Sequence, residues 1–447
     1  MTALKVLPQT APLSGSVPVP SDRSITHRAL ILAALSSGPC EIRGFGYGSD
    51  NQNTLKALGA LGVRHEDDGK GTLRLRGVGL NGLKAPAAPL DAGHSATCLR
   101  LLCGVLAAQP FASELGASLA LERRPLASIV APLNLRGAKI SGRSDEGEVR
   151  PPLVFEALPA GQRLAPIEYG LAGPNDHAKG ALLLSGLFAS GPTTIIEPVL
   201  SRDHTERLLD ALGMPVRAVG SVISLHPPQN PLAIRGFELD VPGDISAAAF
   251  LLVAAQIVAG SHVTTRRTGL NPTRSAVLEV IRLCGGSMGI SPSGSSLNEP
   301  FGDVSSRGSR LRGIALAGEL AHRALDEIPA LCVLAARARG RTEISDCAEL
   351  REGSDDRIGA LVELLNAFGV AAEARPDGLV IEGDPERPLR AARVSSGGDH
   401  RLAMAALLLG LVADGESVLD DADCVAVSFP RYVGTLRALG AKIEVMP

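Results

Sequence analysis

The chain has 447 residues, a formal net charge of −3 and 3% aromatic residues. A charge this near zero, with no basic stripe and few rings to stack on bases, argues against a nucleic-acid-binding protein. No uncharged apolar run reaches the length of a membrane span and no N-terminal stretch reads as a leader, while seven cysteines without a CxxC pair read as buried thiols of a reducing compartment, so the expected address is the cytoplasm.

Along the chain one pattern recurs about six times: a polar cluster, an Ala/Leu-rich helix ending in Gly, a short strand, and a second helix ending in Gly. First helices are predicted over 24–39, 97–107, 177–192, 245–261, 327–341 and 400–416. Second helices are predicted to end at Leu61-Gly62, Leu135-Arg136-Gly137, Leu212-Gly213, Cys284-Gly285, Phe368-Gly369 and Leu439-Gly440. Strands such as 193–198 and 263–265 lie between most of them, and the Gly/Ser-rich stretch 285–309 reads as a solvated loop with a short strand. A helix apolar nearly all round, as 181–189 is, must be buried between other elements. The expected fold class is therefore α/β with helices inside and sheets outside, each first helix having a buried body and an exposed N-terminus. Length alone suggests about three domains of ~150 residues, but six units divide more naturally into two lobes of three.

Orphan N–H groups and the helix dipole attract anions at helix N-termini, and the clusters there carry cations. Arg23, His27 and Arg28 follow Ser21-Asp22, Arg100 follows Gly93-His94-Ser95, Lys179 follows Asn175-Asp176-His177, and Arg401 follows Asp399-His400. If the units converge, these ends line one cleft rich in arginine, although each Ser, Asp or Asn alone is also an ordinary N-cap. Basic residues are overwhelmingly Arg, so some Lys-to-Arg change is compositional. Asp420-Asp421-Ala422-Asp423 has carboxylates at metal-like spacing; neither a metal nor a cofactor is expected.

Together, the segments 20–28 (PSDRSITHR), 201–206 (SRDHTE), 241–244 (VPGD), 270–274 (LNPTR), 326–329 (DEIP), Asp356-Arg357, and Asp399-His400-Arg401 with Ala403-Met404 resemble the 5-enolpyruvylshikimate-3-phosphate synthase family over nearly the whole chain. The resemblance implies the enolpyruvyl transferase fold, two lobes each of three βαβαββ-type units. The chain would cross between lobes near Pro20 and near 239–242, so that 1–20 plus 241–447 form one lobe and 21–240 the other, with ligands in a cleft between them. It also implies a monomer whose partners are phosphoenolpyruvate and a shikimate-type acid. In the implied chemistry the methylene carbon of phosphoenolpyruvate is protonated, the acceptor hydroxyl adds, and the tetrahedral intermediate returns a proton and loses phosphate. Such chemistry needs fixed cations and groups that move protons.

Carried over by motif, the phosphoenolpyruvate-binding residues are Arg23, Ala96, Arg124, Arg357 and Arg401. Acceptor contacts are Arg23, Ser24, Arg28, Asn175, His177, Ser201 and Asp326, and the catalytic residues are Asp326, as acid/base group, and Arg23. Ala96 stands where most members have Gly, and its methyl is expected to crowd glyphosate more than phosphoenolpyruvate. Arg23 replaces a lysine, His94 an asparagine, and Gly353 and Ser354, beside Glu352, occupy the positions of a Lys-Glu pair. Asp176 stands among residues that hold the acceptor phosphate, and a carboxylate 4 Å from a phosphate charge repels it by ~4 kcal/mol at an effective dielectric of 20. His177 is expected to be a new cation or proton shuttle, whereas His27 and His204 orient neighbours. These departures leave two alternatives to transfer onto 3-phosphoshikimate: a paralogue using a ring without the 3-phosphate or catalysing an elimination, and an inactive binding protein.

Overall fold

The computed structural model describes residues 2–145, 147–351 and 356–446. Its strands form six four-stranded sheets that repeat one connectivity. In one of them Ile167–Gly170 runs parallel to Thr193–Ile196, which pairs antiparallel with Val222–Leu225, itself antiparallel to the edge strand Val216–Val219. Helix Asp176–Gly186 links the first two strands and helix His204–Ala211 leads to the last pair. This is a βαβαββ unit whose parallel step requires a helical crossover.

Two of the six units borrow a strand from a distant part of the chain. Ser14–Pro18 runs parallel to His262–Gly269, and Glu238–Asp240 runs parallel to Pro39–Arg43. Leu4–Val6 completes a third sheet, antiparallel to Ser417–Leu419 and Ile443–Val445. The chain divides into two compact units, one of residues 1–20, 243–294 and 300–447, the other of residues 21–242 and 295–299. Each has its own hydrophobic core.

In each unit the leading helices are the interior. Ile245–Ile257 and Ile328–Ala336 are buried at every position, and each fully buried Leu, Ile or Val contributes roughly 1.5–3 kcal/mol. Helices Ala96–Leu106 and Asp176–Gly186 approach so closely that a Cβ at Gly104 would lie 2.1 Å from the Ala181 carbonyl oxygen. The six second helices end alike. Gly62, Gly137, Gly213, Gly285, Gly369 and Gly440 have φ between 76° and 107°, and the following residue donates its N–H back into the last turn, as Val63 does to Leu58 at 3.1 Å and Met214 to Leu209 at 2.9 Å. That 6→1 bond defines the Schellman cap.

Two expectations are corrected. The stretch 285–309 is a long hairpin, Ser287–Ser296 and Glu299–Arg307. Its two-residue turn places Leu297 and Asn298 at φ 45° and 63°, the left-handed pair that a tight hairpin needs. Small Ser and Gly side chains occupy its exposed positions while Phe301 and Val304 face the core, so composition concealed the alternation. Second, the N-termini of Ile245–Ile257 and Ile328–Ala336 are not exposed: Asp244, Ser246 and Glu327 at these starts are buried. The Asp420 cluster is occupied by protein partners. Arg393 grips Asp420, Asp421 accepts from the Ser396 and Gly398 N–H groups, and Asp423 accepts from the Thr2 N–H. No helix among the described residues is long and apolar enough to cross a membrane.

Candidate functional site

In the unit containing residues 21–242, three buried helices bring their N-termini together. Arg23–Leu35, Ala96–Leu106 and Asp176–Gly186 are capped by Asp22, Ser95 and Asn175, whose side chains accept from the N–H groups of Ile25, Cys98 and Ala178. Capping satisfies donors that would otherwise be orphaned, and it fixes where the first-turn side chains point. Arg28 donates from Nη2 to Asp176 at 3.0 Å and from Nε to Thr205 Oγ1 at 2.8 Å. The rings of His27 and His177 bridge the remaining pairs, Nε2 of His27 to Ser95 Oγ at 3.3 Å and Nε2 of His177 to Thr97 Oγ1 at 3.0 Å. Ser24, Arg28, Asn175 and His177 therefore share one locality with Ala96. Arg23 pairs with Asp50 at 3.1 Å. Arg124 lies in the exposed segment after the short helix Leu119–Glu122 and is not drawn into this cluster.

Electrostatics revise two expectations. Asp176 is not a bare carboxylate. Burial would raise its pKa, but His177, Arg202, Arg28 and His204 outweigh that and hold it well below the usual carboxylate range; the repulsion expected toward a phosphate is thus opposed by Arg28 in direct contact. His177 is not a new cation. Burial, reinforced by Arg100, Arg28 and Arg202, outweighs the Asp176 carboxylate and brings its imidazole down to about 4, so the ring is neutral at pH 7. His27, lowered to about 3 first by burial and then by Arg23 and Arg28, is a neutral bridge between Thr54 and Ser95. His204 goes the other way: burial lowers its pKa, but the Glu299 carboxylate at 2.8 Å outweighs this and raises it.

Lys179 points inward, which corrects its place among the cations of a cleft. Its ammonium is 2.8 Å from Glu197 and 2.7 Å from Glu206 and also donates to the Ser201 carbonyl. Glu197 takes the Ser201 hydroxyl, so this buried group holds Ser201 in place.

In the unit containing residues 243–294 and 300–447, Arg401 Nη2 lies 2.8 Å from Asp326 Oδ1, and Arg357 Nε donates to Asp399 at 2.7 Å. Asp399 caps helix His400–Leu411 through the Arg401 and Leu402 N–H groups. Burial pushes its carboxyl up, but Arg357 and its hydrogen bonds bring it below the usual range. A cavity of about 400 Å³ at the starts of two helices is lined by Arg357 and His400 together with the capping carboxylates Asp356 and Asp399. Gly353, Ser354 and Glu352 lie outside the described residues. Sequence reasoning gave no role to Arg274, which is buried against Glu327 at 2.6 Å and Asp326 at 3.5 Å; the signal was its place at the end of the segment 270–274 together with the doubled acid Asp326-Glu327.

Comparison with known proteins gives a consistent result. The family model for EPSP synthase (3-phosphoshikimate 1-carboxyvinyltransferase) matches residues 7–436. A 3-phosphoshikimate 1-carboxyvinyltransferase from Desulforamulus reducens is 42% identical over 426 residues, covering 95% of this chain and 96% of that protein. One from Syntrophotalea carbinolica is 42% identical over 432 residues, covering 97% and 98%. A solved structure of EPSP synthase from Acinetobacter baumannii is similar with a TM-score of 0.90 and 36% identity, covering 100% of both chains.

Proposed function

The chain belongs to the EPSP synthase family, and on that premise we propose that it transfers the enolpyruvyl group of phosphoenolpyruvate to a hydroxyl of 3-phosphoshikimate and releases phosphate. Arg124, Arg357, Arg401 and Arg23 hold the phosphate and carboxylate of phosphoenolpyruvate by forked contacts, and Ala96 is a further phosphoenolpyruvate contact. Ser24, Arg28, Asn175, His177 and Ser201 receive the acceptor. Asp326 takes the proton of the attacking hydroxyl as the methylene carbon of phosphoenolpyruvate gains one; Arg23 stabilises charge in the tetrahedral intermediate, whose methyl group then returns a proton as its C–O bond to phosphate breaks and the vinyl group re-forms. The protein acts as a monomer of cytoplasmic address.

The observation that carries this reading is the 2.8 Å contact between Asp326 and Arg401, a carboxylate suited to proton transfer beside a guanidinium suited to an anion, in a chain 42% identical to proteins named for this reaction. The pairing of Asp176 with Arg28 weakens the reading of an acceptor without its phosphate. Calorimetric injection of phosphoenolpyruvate into protein with 3-phosphoshikimate present is expected to give the heat of binding and turnover, ending when the limiting substrate is consumed. Absence of binding with any shikimate-pathway acid would sink the proposal.

A further inference from the structure

Both oxygens of Asp326 face a guanidinium. Arg401 lies 2.8 Å from Oδ1 and Arg274 3.5 Å from Oδ2. The two arginines differ in exposure. Arg401 stands in the first turn of helix His400–Leu411 with 15% of its side chain exposed, against 6% for Arg274. Arg274 is fixed from three further sides: Nη1 lies 2.6 Å from Glu327 Oε1, Nη2 lies 3.8 Å from Asp244, the N-cap of helix Ile245–Ile257, and Nη2 donates to Ser246 Oγ. Ser246 in turn donates to Glu327. A planar fork engaged at several points has one orientation.

We infer that Arg274 is a positioning residue for Asp326, holding its carboxylate through Oδ2 when an anionic substrate draws Arg401 away from Oδ1. The inference rests on the reading of Asp326 as the acid/base group and Arg401 as a phosphoenolpyruvate contact. A ligand that engages Arg401 takes this contact from Oδ1 of the carboxylate. A general base must stay within hydrogen-bond reach of the proton it takes, and the Arg274 contact at Oδ2 helps to keep it there. Arg274 does not follow Arg401 to the ligand, because leaving its place would strip the wholly buried Glu327 of this counter-charge, a costly change in a low-dielectric interior.

The test compares Arg274→Lys, Ser246→Ala and Asp326→Asn in steady-state transfer between phosphoenolpyruvate and 3-phosphoshikimate. Lysine keeps the charge but lacks the fork, so Arg274→Lys is expected to lower kcat about a hundredfold while KM for phosphoenolpyruvate changes by less than about twofold. Ser246→Ala removes one anchor of Arg274 and is expected to lower kcat about threefold, again with KM retained. Wild-type kcat in Arg274→Lys, or a raised KM with kcat unchanged, overturns the inference while Asp326→Asn remains inactive. If Arg274→Lys does not fold, Ser246→Ala decides: reduced kcat at constant KM supports the inference and wild-type kcat overturns it. Full turnover by Asp326→Asn overturns the acid/base reading itself, and the inference with it.

Discussion

Asp176 and Arg28 illustrate how one residue is read differently once its neighbour is known. In sequence the carboxylate is an obstacle to a phosphate; in the fold it is a partner of a guanidinium that is 1% exposed. Asp176→Asn is expected to have two opposed effects. Removing the negative charge tightens 3-phosphoshikimate about tenfold, or ~1.4 kcal/mol, seen as a lower acceptor KM. It also leaves Arg28 without this counter-charge, which costs ~3 kcal/mol of stability by the usual magnitude for half of a buried pair and lowers Tm. An unchanged or raised KM contradicts the placing of Asp176 beside the acceptor phosphate. Asp326, Arg357, Arg401 and Arg28 could be proposed from sequence because they sit in short motifs. The partners of Arg274 and Lys179 were not, because the choice among many acidic residues is made by packing between segments distant in sequence.

The second helix of each unit ends at a glycine in the left-handed region, and this was the clearest element-level signal in the chain. At Gly213, φ is 76° and no atom lies within 4 Å of where a Cβ would stand, so the only penalty for alanine is conformational. Gly213→Ala is expected to destabilise by ~1 kcal/mol, measured by urea unfolding. Gly434 supplies the converse: it lies exposed inside helix Tyr432–Ala438, also with open space around it. Gly434→Ala is expected to stabilise by ~0.5–1 kcal/mol. Equal effects at the two positions would contradict the assignment of the caps. The six leading helices were legible from their apolar runs, whereas the hairpin Ser287–Ser296 and Glu299–Arg307 was hidden. Its outer face is built from the residues that usually mark loops, and the strands exchanged over long distances, such as Glu238–Asp240 with Pro39–Arg43, carry no local signature.

For the molecule as a whole, the buried His27 and the partly exposed His177 set the acid limit. His27 and His177 titrate at about 3 and about 4 in the fold, below the ordinary 6.5, so the unfolded chain binds more protons once pH falls below ~6.5. Their contribution is present above that value and is lost at up to ~1.4 kcal/mol per pH unit for each histidine as pH falls toward 4. His204, whose pKa is raised, is charged in both states over most of this window and adds little slope. Urea unfolding between pH 6.5 and 4.5 is expected to show this loss and His27→Gln a shallower one; an equal slope in the variant contradicts the burial argument. The central claim is carboxyvinyl transfer to an acceptor that keeps its phosphate. It is tested most directly by following phosphate release and product mass with phosphoenolpyruvate and 3-phosphoshikimate, together and singly. Carboxyvinyl transfer predicts phosphate only when both are present, matched by a carboxyvinyl adduct of the acceptor, whereas phosphate from one substrate alone, or no adduct, would contradict it.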